Sequence, residues 1–174
     1  MSEAKLLIHV IRGTDVPVRQ SYFNDFLGYI TDLKKGGKNQ QQAYQDLYRL
    51  KQVETFLEIR VHDPETGKEQ VQKTSVSEGQ NPEWNEMLDF VLNAKNNIAF
   101  TKNELEQSKV IVYFTLFDQE VKVDQITHLR QMRYIQNRYL GSFKVPLTTI
   151  LSGTKFEGLI RINRPLVLQD YNVI

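Results

Sequence analysis

Lys73-Thr74, five further residues, then Gln80-Asn81-Pro82-Glu83-Trp84-Asn85-Glu86 is the stretch on which the fold turns. Pro82 fixes its own φ and pushes Asn81 toward extended geometry, so a chain leaving a strand at Thr74 must turn here. The Asn81 side chain is suited to hold that turn by bonding its own backbone. Trp84 opens a new apolar run, Trp84 to Leu92, and is large enough to plug the end of a core. On the other side, Glu69 to Ser75 reads as the return strand of a hairpin whose first strand is Thr55 to Val61. Pro64 and Gly67 in the connection supply its turn geometry. In the first of these strands Phe56, Ile59 and Val61 are the expected core residues, and Leu57 breaks the parity.

Further out, Lys5 to Arg12, Val110 to Asp118, Tyr139 to Val145 and Phe156 to Asn163 are β-branched or aromatic runs bounded by turn residues. About eight short strands in succession predict an all-β fold, an antiparallel β-sandwich, with residues 1–174 as a single domain. Two stretches depart from this pattern. Near 21–52, Phe23, Phe26, Leu27, Ile30 and Leu33, then Ala43, Leu47 and Leu50, recur at helical spacing around a Gly-Gly joint. Near 124–138, Asp124 suits an N-cap, and Ile126, Leu129 and Met132 share a helical face. Both predict helical loop insertions between strands.

Composition narrows the class. The 174 residues are 40% hydrophobic and 25% charged with a net charge of +1, an ordinary globular balance. That charge gives no reason to expect nucleic acid, and no aromatic stacking platform accompanies the arginines. Without cysteine there are neither disulfides nor thiolate metal sites. The first ten residues lack the flanks of a signal peptide, and no apolar run nears the roughly 20 residues of a membrane span.

The Lys-Thr strand, the Asn-Pro turn and the Trp-Asn-Glu run together resemble the C2 domain. Leu6-Leu-Ile-His-Val10, Thr55-Phe-Leu-Glu-Ile59, Phe114-Thr-Leu-Phe-Asp118 and Tyr139-Leu-Gly141 are similar to other strands of that family. Asn81, Pro82, Trp84 and Asn85 are its structural motif here. A closer likeness is to the coiled-coil and C2 domain-containing protein 2A family. It rests on Val16-Pro-Val-Arg19, Gly79 to Glu86, Phe117-Asp-Gln-Glu120, Arg138-Tyr-Leu-Gly141 and Phe156-Glu-Gly158 with Pro165-Leu-Val-Leu168. This resemblance implies a cytoplasmic scaffold at the cilium base, in the transition zone. It also implies a chain that is a segment of a larger protein, with other proteins of a ciliary complex as partners and a weak contact with the adjacent anionic membrane.

C2 domains that respond to calcium converge several aspartates, because Ca²⁺ takes about six to eight hard oxygens. Carried onto this chain, the resemblance leaves Asp118, Glu120, Asp15 and Glu54 as weak metal candidates. The second family aspartate is replaced by Glu120, the one before Leu-Gly is missing, and Arg138 stands nearby as a built-in cation. No metal and no cofactor are therefore expected. Asp118 and Glu120 then read as loop residues hydrogen-bonded to Arg138 or Lys122. The alternative is a module that answers to Ca²⁺ or phospholipid.

Charge is segregated along the chain. From 121 to 144 there are five bases and one acid; from 54 to 89 there are nine acids and three bases. Lys122, Arg130, Arg133 and Arg138, with Lys34, Lys35 and Lys38 of the insertion, are the expected partner- or lipid-contacting residues. Phe23, Phe26, Tyr29, Tyr44 and Tyr48 are expected to extend the core, or else to offer a protein-binding patch. His9, His62 and His128 have no metal-ligand spacing, and no nucleophile elbow or phosphate loop occurs. No catalytic residue and no small-molecule substrate are expected.

Overall fold

The computed structural model describes residues 4–19, 53–92, 102–127, 130–151, 157–165 and 171–172. The helices expected near 21–52, with Lys34, Lys35 and Lys38, lie outside them. The strands are β1 (Ala4–Arg12), β2 (Val18–Arg19), β3 (Glu54–His62), β4 (Glu69–Lys73), β5 (Ser77–Glu78), β6 (Glu83–Leu92), β7 (Ile111–Thr127), β8 (Arg130–Pro146) and β9 (Tyr171–Asn172). Short helices α1 (Lys102–Glu106) and α2 (Leu147–Leu151) flank the β7–β8 pair in sequence.

All pairing is antiparallel. One sheet has the order β4-β3-β7-β8, with β5 also on β3; a second is β1-β6; and β2 pairs with β9. Period-2 alternation sends Leu6 and Val10 of β1 and Leu88 and Phe90 of β6 inward. They meet Leu57, Ile59 and Val61 of β3, Val112 and Leu116 of β7 and Leu140 of β8 in one core cluster. This is the expected all-β sandwich. Gln70 and Gln72 join the two sheets at one side, their side-chain amides donating to the carbonyls of Val91 and Asp89 on β6.

Local parity in β3 differs from the sequence expectation. Leu57, Ile59 and Val61 line the core, and Phe56 is the residue on the opposite face. It is buried there all the same, stacked on Phe117 at 5.4 Å between centroids with the Lys73 ammonium 5.2 Å from its ring.

The motif residues act as a clasp between β1 and the turn before β6. Gly13 N–H donates to Pro82 O (2.8 Å), Val16 N–H to Gln80 O (2.9 Å) and Asp15 N–H to Asn81 Oδ1 (3.3 Å). Asn81 thus holds a neighbouring turn and not its own backbone. Pro82 is fully buried, and a Cβ on Gly13 would sit 3.2 Å from its ring, a tight approach that glycine relieves. Trp84 donates from Nε1 to Thr55 O (3.4 Å) and packs against the core. Asn85 takes a left-handed φ of 51°, a conformation that suits Asn better than most residues, and its Oδ1 lies 2.8 Å from His9 Nε2. Thr74 is buried and bridges β3 through Leu57 N–H to its Oγ1 at 3.0 Å.

Two other expectations are corrected. Residues 124–127 and 130–138 are strand and not helix: β7 runs to Thr127 and β8 starts at Arg130, and the ladder continues through Val121↔Ile135, Lys122↔Tyr134, Val123↔Arg133 and Asp124↔Met132. The β-branched residues Val121, Val123 and Ile135 favour this pleated ribbon, and cross-strand partners outweigh a helical spacing of three residues. In 157–163 there is a single bridge, Asn163 to Ser142, where a full strand was predicted. Among the described residues that segment meets one ladder partner, Ser142.

Candidate functional site

At the end of the sandwich, where the β3 pairing stops and β7 continues into the ribbon, five charged side chains and a tyrosine are packed together. The centre is Asp118, fully buried on β7. Arg19 of β2, 4% exposed, grips it with Nε donating to Oδ2 at 2.6 Å and Nη2 to Oδ1 at 2.5 Å. Arg19 Nη2 also donates to Gln119 O at 2.9 Å. Glu54 N–H donates to Asp118 Oδ1 (3.2 Å), and Tyr171 Oη–H donates to Oδ2 (2.6 Å). An ionised carboxylate has about four lone-pair positions, and here four donors use them.

Beside this pair sits Glu120, with Lys122 Nζ 2.9 Å and Arg138 Nε 3.5 Å from its Oε2. The Arg138 guanidinium lies 5.7 Å from the Tyr171 ring, over its face. Strand geometry explains the grouping. Asp118 and Glu120 point to one face of β7 by alternation, and Arg138 is opposite Asp118 in the register. The β2–β9 pairing, Arg19↔Tyr171, brings two residues from distant parts of the chain against that face.

Electrostatics follow from the packing. Burial works against the Arg19 charge, but the hydrogen bond and attraction of Asp118, with Glu120 and Tyr171 adding, raise its pKa. Burial works in the same sense against the Glu120 carboxylate, yet Lys122, Arg19 and Arg138 overcome it and hold the group below the usual glutamate range. Burial and the bond to Asp118 push the Tyr171 phenol up, well above its ordinary value.

Of the residues expected to hold a metal, Asp118 and Glu120 do come together, and Glu54 joins them through its backbone N–H. Asp15 is exposed, and its backbone amide serves the Asn81 turn. The pairing is corrected in detail: Asp118 is a strand residue bound by Arg19 and Tyr171, whereas Lys122 and Arg138 belong to Glu120. The donor set does not fit Ca²⁺, because the oxygens it would need are occupied by an arginine fork. Arg133 is exposed on the ribbon, and Arg130 is at its tip. Sequence reasoning missed Arg19 and Tyr171. Val16-Pro17-Val18-Arg19 stood out as a string, but nothing in it separates a buried arginine from a solvated one.

A C2 domain family model matches residues 4–162. The chain is 26% identical over 164 residues to the coiled-coil and C2 domain-containing protein 2A of Drosophila melanogaster, covering 94% of this chain and 11% of that protein. It is 24% identical over 177 residues to Protein CC2D2B of Homo sapiens, covering 97% of this chain and 12% of that protein. The chain thus spans about an eighth or less of these relatives. A solved structure described as concerning CC2D1B in the mitotic reformation of the nuclear envelope aligns with a TM-score of 0.46 at 13% identity. It covers 94% of this chain and 52% of that one, and the likeness is too distant to add to the argument.

Proposed function

This chain belongs to the C2 domain family, and from that premise we propose that it is a non-catalytic docking module that works without calcium. One observation carries the proposal: Arg19 supplies, as a covalent part of the fold, the positive charge that Asp118 would otherwise seek in a divalent ion. A guanidinium in bidentate contact is permanently charged and cannot be withdrawn by a fall in ion concentration. The site is therefore set in one state, which suits a scaffold and not a sensor. The likeness to the 2A-type relatives supports proteins of the ciliary transition zone as the partners.

Thermal unfolding with millimolar Ca²⁺ and with EDTA tests this reading. The expected melting temperatures are the same in both; a rise with Ca²⁺ would show an ion binding the native state by mass action and would overturn it. Arg19→Gln supplies the complementary arm. Removing the guanidinium frees Asp118 oxygens, and any calcium response is expected only in that variant.

A further inference from the structure

Asp118 is, among the described residues, the last residue of β7 with a ladder partner on each side, Thr55 on β3 and Arg138 on β8. Beyond it β7 and β8 continue as a two-stranded ribbon, paired with one another as far as Thr127↔Arg130. Two strands alone are marginally stable in water, so the ribbon depends on what fastens its root. Side chains do the fastening. Arg19 Nη2 donates to Gln119 O, the first carbonyl past Asp118 (2.9 Å). Glu120 is held by Lys122 on its own strand and by Arg138 of β8. Arg138 also lies over the Tyr171 ring, 5.7 Å from its centroid.

The same carboxylate closes a second part of the chain. Arg19 and Glu54 bound the excursion between β2 and β3, and both end on Asp118, the arginine through its fork and Glu54 through its N–H (3.2 Å). β9 completes the set: Tyr171 Oη–H donates to Asp118 Oδ2 (2.6 Å), and Tyr171 is the ladder partner of Arg19. Yet β9 is the lightest piece of the assembly. It has two ladder pairs, Val18↔Asn172 and Arg19↔Tyr171, where β3 and β7 have eight. To these it adds the phenol bond and the contact of one ring with the core. Units with few ladder bonds and little buried apolar surface open first.

We propose that β9 is a releasable strap, whose lifting loosens the root of the β7–β8 ribbon and both ends of the Arg19–Glu54 excursion in a single step. The coupling is electrostatic. Arg19 and Asp118 hold one another tightly because water is kept from them, and the attraction falls steeply as the effective dielectric rises. Lifting β9 withdraws a donor from Asp118 Oδ2, takes away the ladder partner of Arg19 and opens the fork to water. The loss then reaches Gln119 through Arg19, Glu54 through Asp118, and Glu120 through Arg138, which gives up the Tyr171 ring. The strap is a property of the fold and holds whatever partner the module docks on.

Hydrogen exchange followed by NMR at a series of low urea concentrations tests the strap on the intact chain. Glu54 reports the end of the excursion, and Glu120 with Gln136, opposite it in the ladder, reports the ribbon root. Ile59, paired with Phe114 in the middle of the sheet, is the reference for global unfolding. The amides of Glu54, Glu120 and Gln136 should share one opening free energy, lower than that of Ile59. Tyr171→Phe keeps the ring and removes the donor, and should speed all three by one common factor of about ten- to a hundredfold. Deleting residues 171–174 should bring the three to one faster rate still, with Ile59 protected; Tyr171→Phe remains decisive if the shortened chain does not fold. Three unequal opening free energies, a shared value equal to that of Ile59, or a Tyr171→Phe effect confined to Glu54 or to the ribbon would each overturn the proposal.

Discussion

Arg19 and Asp118 form an ion pair almost wholly removed from water, and such pairs are asymmetric in what mutation does to them. Arg19→Ala should cost about 3–5 kcal/mol in chemical denaturation, because it strands a buried carboxylate. Replacing both partners, Arg19→Met with Asp118→Leu, should recover most of that loss. Glu120 makes a separate prediction for acid. Its folded pKa lies below the ordinary value of 4.5, so the stability it contributes is fully present above that value and is lost as the pH falls through the lowered one. Melting curves between neutral pH and about pH 3 should therefore fall more steeply for the native protein than for Glu120→Gln. The Lys122 and Arg138 partners of Glu120 were legible in the sequence, whereas the environment of Asp118 was not. Asp118 and Glu120 were visible as a pair, but the side chains that hold Asp118 come from β2 and β9, and no local pattern encodes a contact between residues 99 positions apart.

At the scale of elements, Gly141 shows how one residue sets the course of β8. A bulge between Leu116 and Phe117 shifts the register from Gly141 to Tyr139, and Gly141 has a φ of 158°. A Cβ there would lie 2.6 Å from both Asn163 O and Ile162 Cγ2. Gly141→Ala should therefore push the 157–165 segment off β8, breaking the Ser142–Asn163 bridge, at a cost of about 1–3 kcal/mol. Faster exchange of the Ser142 and Asn163 amides would report it. The Leu140-Gly141 string was readable as a strand feature, though the backbone it accommodates was not. The stretch from 124 to 138 reads as helical for a related reason. Ile126, Leu129 and Met132 satisfy a helical period over so short a stretch, and only pairing across the hairpin decides between the two.

For the molecule as a whole, β2 and β9 are two residues each and, among the described residues, have only one another as ladder partners. They hold because their side chains, Arg19 and Tyr171, both end on Asp118. Deleting residues 171–174 should accordingly lower the melting temperature by more than Tyr171→Phe, which removes one charge-assisted hydrogen bond worth about 1.5–3 kcal/mol. The deletion also uncovers the Arg19 side of the cluster. Limited proteolysis should then cleave near β2 first, since local opening governs access.

The sandwich is legible from local sequence signals alone. Period-2 alternation, the Asn81-Pro82 turn and the Trp84-Asn85-Glu86 run are local signals, and each constrains the backbone through sterics or hydrogen bonds within a few residues. What holds Asp118 emerges only when distant strands pack together. The partner of Asp118 is chosen by which strands meet at the end of the sandwich, and burial is what makes Arg19 a permanent occupant and not a solvated surface charge.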